Sequence, residues 1–147
     1  MCRRSGRASK GEAGKMVLAS TANGGNPRRL IGLARREVEN VISALPEDVR
    51  RKAEEVHVAY ELAMPGYWKE DGVEPDSLGL FSGPSCADPE FDTAPEIPLI
   101  SLFLLNLWDY SDSDVQTFRE EVRRTYLHEL GHYLGLEEDD MEQRGLL

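Results

Sequence analysis

The 147-residue chain has two cysteines, three histidines and no long apolar run. Cys2 and Cys86 are too few for a disulfide framework and read as free thiols. No stretch of about 18 apolar residues is present, so no transmembrane helix is expected, and Met16-Val17-Leu18-Ala19 is too short for the apolar core of a secretory leader. The expected location is the cytoplasm. Positive charge is scarce over most of the chain: residues 30–147 carry ten Lys or Arg against twenty-six Asp or Glu, a balance of −16. Such a body repels nucleic-acid phosphates, so neither DNA nor RNA is an expected partner, and cations and basic peptides are favoured.

What positive charge there is collects at the start. Residues 1–29 hold seven Lys or Arg against Glu12 alone, a balance of +6, in a stretch rich in Gly, Ser and Asn with little to bury. The organisation expected is a flexible basic extension over 1–29 and a single domain over 30–147. With 40% hydrophobic residues overall, that length can bury one modest core.

Two of the three histidines stand in His128-Glu129-Leu130-Gly131-His132. A string H-E-x-x-H should arise by chance in roughly one such chain in 150, which lowers the usual false-positive risk of a short motif. Four residues advance about 400° around an α-helix, so the two imidazoles lie about 40° apart, one turn above the other. They can share one cation. Zinc accepts neutral imidazole nitrogens, and a catalytic site needs three protein ligands and an open position. Glu129, beside the first histidine, is placed as general base.

The third ligand has to come from nearby, because only fifteen residues follow His132. The acids available are Glu137, Glu138, Asp139, Asp140 and Glu142. On a continuing helix Glu138 would lie about 15 Å along the axis from His128, so the helix must end first. Gly135 can take the left-handed conformation that ends it. Glu138 then occupies the third-ligand slot of H-E-x-x-H-x-x-G-x-x-E, with Asp139 as the alternative.

Around the motif, Leu30, Leu33, Ala34, Val38, Val41, Ile42 and Leu45 predict an amphipathic helix over 30–44, closed by Pro46. A further helical turn or two follows over 47–54. Val56, Val58, Tyr60 and Leu62 alternate as a half-buried strand does. Six of the eight prolines fall between Met64 and Pro98, which makes that region loops flanking a short strand near Leu78–Ser82. Leu99–Trp108 has the length of a strand buried on both faces, and its leucine content leaves a buried helix open. Ser113-Asp114-Val115-Gln116 matches a capping box that opens a helix from 113 to 134. Its apolar stripe is Val115, Phe118, Val122, Tyr126, Leu130 and Tyr133, with Glu121, Thr125, His128 and His132 on a separate face. Glu121 reads first as a solvated glutamate, and otherwise as an acceptor for an imidazole N–H. His57, alone on its strand, reads as structural, and none of Tyr67, Tyr110 and Tyr133 is singled out as an oxyanion donor.

From Leu30 onward the chain resembles the small bacterial minimal zincin-like metallopeptidases. The resemblance rests on Leu45-Pro46-Glu47, Leu78-Gly79-Leu80-Phe81-Ser82-Gly83, and Glu120 to Thr125 running into His128-Glu129-Leu130-Gly131-His132. It implies an α+β zincin-like fold, with a small mixed or mostly antiparallel sheet, Leu99–Trp108 among its strands, against an N-terminal helix and a long C-terminal metal-binding helix. It also implies peptidase activity, without an agreed natural substrate. An acid stands where the related metzincin pattern has a third histidine, and no room remains for a Met-turn. The function expected is hydrolysis of a peptide or protein substrate by a zinc enzyme, with Glu129 catalytic, His128, His132 and Glu138 on Zn2+, and the peptide added to a sheet edge beside the metal helix. The alternative is a noncatalytic protein with a structural zinc site.

Overall fold

The structure, a computed structural model, describes residues 2–5 and 25–146. Its first helix, α1 (Pro27–Ala44), starts three residues before the boundary expected at Leu30. Asn26 caps it by accepting from the N–H groups of Arg28 and Arg29 at 3.0 and 3.4 Å, and Pro27 supplies a φ already suited to the first turn. Leu30, Ala34, Val38 and Val41 form its buried stripe. Leu45 is extended, as a residue before proline must be, and α2 (Glu47–Ala53) follows.

The chain then gives β2 (His57–Glu61), the short α3 (Tyr67–Glu70), β3 (Ser77–Ser82) and β4 (Leu99–Phe103). The strand expected to run through Trp108 stops at Phe103, and Leu104–Tyr110 is a helix, α4. Neighbouring strands explain the stop. Phe103 pairs with the last residue of β2, Glu61, and one more bond, from Leu105 N–H to the Leu62 carbonyl at 3.0 Å, closes the ladder on that side. A leucine-rich segment without strand partners favours helix. Asn106 fixes α4 by donating to the carbonyls of Pro75 and Ser77, both at 2.8 Å.

One further strand comes from the basic segment. Cys2–Ser5, expected within a flexible extension, is strand β1, antiparallel to β3. The outer edge of β3 would otherwise present a row of unpaired backbone groups, which a passing segment can satisfy. The rest of the expected extension up to residue 24 lies outside the described residues. Among the described residues the sheet has the order β1-β3-β4-β2, with β3 and β4 antiparallel and β4 and β2 parallel.

The main core lies on one face of this mixed sheet. Leu78, Ile100 and Leu102 meet α1, α4 and the long helix α5 (Val115–Leu134), with Trp108 and Phe118 edge-to-face at 5.5 Å. Fully burying such a side chain contributes about 1.5–3 kcal/mol. A smaller cluster of Val73, Leu80 and Phe103 covers the other face. The fold is α+β, with α1 and α5 packed together on the sheet. Among the described residues no helix is long and apolar enough to cross a membrane.

Candidate metal centre

Helix α5 carries the motif, and its two ends set where the motif points. Asp114, not Ser113, is the cap: its carboxylate accepts from Thr117 N–H at 2.8 Å and from the Thr117 hydroxyl at 2.7 Å. These bonds hold the Asp114 carboxyl below its ordinary pKa. Ser113 has a φ of 59°, which turns the chain into the helix and takes it out of the capping position. At the far end Gly135, φ 73°, terminates the helix as expected, and Leu136 N–H reaches back to the Gly131 carbonyl at 2.8 Å.

The chain after Gly135 then folds back over α5 as a short helix, α6 (Glu138–Gln143). Met141 is its anchor. It is buried, and a Cβ on Gly131 would stand only 3.3 Å from its Cγ, so the small residue between the two histidines makes room for it. The loop after β3 closes the helix end from the other side, with Ser85 Oγ and Cys86 N–H donating to the Tyr133 carbonyl at 2.9 and 2.8 Å.

The histidines meet as the spacing requires. Nε2 of His128 and Nε2 of His132 are 3.2 Å apart, with the rings nearly perpendicular. Burial first, and then the neighbouring His128, lower the pKa of His132, partly opposed by Glu137 and Glu138. The neutral imidazole so favoured is the form a metal takes. Two nitrogens bound tetrahedrally to one zinc stand about 3.3 Å apart, so the pair fits the ion.

Glu129 is fully buried beside them. Its Oε1 accepts from the backbone N–H of Phe81 at 2.9 Å, and its Oε2 is 3.8 Å from His128 Nε2. Two residues earlier on β3, Gly79 lets the strand press against α5: a Cβ there would stand 2.7 Å from Thr125 Cγ2 and 3.1 Å from the Ser101 carbonyl. The strand and the helix are thus registered at two points, Gly79 on Thr125 and Phe81 on Glu129.

Glu138 is brought to the site on the other side of the ring. Its Oε1 is 2.8 Å from Nδ1 of His128, whereas the two Nε2 atoms face each other. Among the described residues no three His, Cys, Asp or Glu side chains stand together ready to hold a metal. Glu137, Glu138 and Asp139 do line, with both histidines, a cleft of about 300 Å³. Glu137 and Asp140 are engaged in capping α6.

A model of the zincin-like metallopeptidases matches residues 53–146, the stretch that contains the motif and its paired imidazoles. The chain belongs to that family. No curated protein matches it. In this member of the zincin-like family the matched stretch runs from the end of α2 through α6 and leaves β1 and α1 outside. The family implies zinc and suggests a hydrolase.

The remaining candidate residues lie elsewhere. His57 is exposed at the start of β2, on the sheet edge opposite β1. Tyr133 turns its hydroxyl to Glu55 Oε2 at 3.4 Å and is pushed up to about 12, chiefly by burial. Tyr67 is exposed on α3. Glu121 is buried and meets Arg124 at 3.3 Å. Met141, Gly79 and the N–H of Phe81 had no mark in the motif; the small residue two before Phe81 was the available signal.

Proposed function

We propose that the chain is a zinc-dependent peptidase in which His128 and His132 bind the ion through their Nε2 atoms and Glu129 is the general base. The observation that carries this reading is the 3.2 Å separation of the two Nε2 atoms with a fixed carboxylate beside them. Glu138 is the proposed third ligand. Its side chain is 66% exposed, so it has the freedom to turn from Nδ1 into the cleft that it shares with the histidines. Asp139 lines the same cleft and is the alternative.

When bound, zinc polarises the scissile carbonyl and makes water a better acid. The remaining steps fall to the protein. Phe81 N–H holds Glu129 Oε1, which fixes the orientation of the carboxylate, and Oε2 stands toward the histidines to take a proton from the attacking water and hand it to the leaving amine. Burial of the carboxylate strengthens its electrostatic interaction with the reacting groups. The sign of the surrounding charge suits a basic or neutral peptide over an acidic one.

Full burial of Glu129 also favours a second reading, a metal site that stabilises the fold without turnover. Elemental analysis of the purified protein tests what both readings share. About one zinc per chain, lost in His132→Ala, is expected; no zinc in either protein would overturn them.

A further inference from the structure

β3 is hydrogen-bonded to the general base, and but for β1 its side away from β4 would be an outer edge of the sheet. Phe81 of β3 donates its N–H to Glu129, and Gly79 two residues earlier lies against Thr125 of α5. The opposite outer edge, β2, is separated from β3 by β4. A peptide that adds to this sheet as an extended strand and reaches Glu129 therefore has one place to lie, against β3.

That place is taken by the chain itself. β1 runs antiparallel to β3 with Cys2 opposite Phe81, Arg3 opposite Leu80 and Arg4 opposite Gly79, and it lies against α5 as well as β3. The register breaks between Arg4 and Ser5, so pairing is regular only over the residues that flank the Glu129 contact. β1 is outside the residues matched to the family, so the occupied edge belongs to this chain's own N-terminal segment and not to the shared domain. The segment contains adjacent arginines within a +6 region, and the body it pairs with carries −16.

We propose that Cys2–Ser5 is an internal competitor: it fills the strand-docking edge of β3 beside Glu129 and must leave before an extended peptide with adjacent basic residues can add there. The consequence for turnover rests on the peptidase reading; the docking does not. Tethering gives the segment an effective concentration in the millimolar range, so a free peptide of the same sequence faces a strong rival.

The test uses the 147-residue chain with Arg3→Pro and Arg4→Pro; successive N–H groups of a strand face opposite sides, so the pair removes the donor that faces β3 and leaves the domain sequence intact. The probe is a fluorescein-labelled peptide with the sequence of residues 2–6, followed by fluorescence polarisation. The double variant is expected to bind it about tenfold or more tightly than the wild type. On a cleavable basic peptide, KM should fall by the same factor with kcat unchanged. A rise in affinity without any turnover keeps the competitor and removes the peptidase reading. Equal affinity in the two proteins, or no binding by either, overturns the proposal. Amide hydrogen exchange of the wild type gives a second check: residues 2–5 should be protected and should lose protection when the free peptide is added in excess, and free exchange from the outset overturns it too.

Discussion

The backbone N–H of Phe81 donates to Glu129 across 48 residues of sequence, at 2.9 Å, in a site where both residues are buried. The bond joins β3 to α5 through the side chain proposed as general base. Removing the carboxylate leaves that N–H without its acceptor, which costs about 1–3 kcal/mol, whereas an amide keeps it paired. Glu129→Ala should therefore be less stable than Glu129→Gln by that amount in urea unfolding, and equal stabilities would deny the bond its role.

Gly79 makes the approach of β3 to α5 possible. A methyl group there meets Thr125 Cγ2 at 2.7 Å, so Gly79→Ala should destabilise by about 1–3 kcal/mol, the usual cost of overpacking. Thr125→Ser removes the atom in the way. In the Gly79→Ala background it should restore part of the loss, a coupling that a double-mutant cycle measures directly. Additive losses would place the strain elsewhere, at the Ser101 carbonyl.

Glu138 and Asp139 are separated by zinc affinity. With Glu138 as ligand, Glu138→Ala should weaken binding by more than the 10- to 100-fold typical of an orienting partner, and Asp139→Ala should change it little. A loss confined to that range for Glu138→Ala would leave it in the place where it now stands, holding Nδ1 of His128. A competition titration with a chelator reads either result.

Asp114 links the start of α5 to pH. Its folded pKa lies below the ordinary 3.8 because Thr117 donates to the charged form. The stabilisation is therefore present above that ordinary value and is lost as pH falls through the lower folded one. Asp114→Ala should be less stable than the wild type at neutral pH, and the difference should shrink at strongly acid pH. A difference that stays constant down the acid limb would remove the cap from the account.

Local pattern made much of this legible, and the limits are physical. H-E-x-x-H and Gly135 are short-range signals, and they locate the motif-bearing helix, its end and the facing imidazoles. Leu99–Trp108 divides into a strand and a helix at Phe103, a point that apolar content does not mark because it fits a buried strand and a buried helix alike; the ladder partner ending at Glu61 decides it. The cap was displaced by one residue because Ser113 and Asp114 are both good caps, and the positive φ of Ser113 is a property of the turn. Glu138 was legible as the acid that reaches His128, but not the nitrogen it would meet, which depends on how Met141 seats α6 on Gly131. The Phe81 contact and the pairing of Cys2–Ser5 join residues far apart in the chain, and no window of sequence contains them.

The central claim is that Glu129 does chemistry at a metal that it does not hold. The most direct measurement is peptide-library turnover by the zinc-loaded wild type beside Glu129→Gln, with zinc content determined on the same samples. The account predicts undiminished zinc and a fall in kcat of about 10²- to 10⁴-fold, the range a general base supplies. Undiminished zinc with unchanged turnover, or no turnover by either protein, would contradict it.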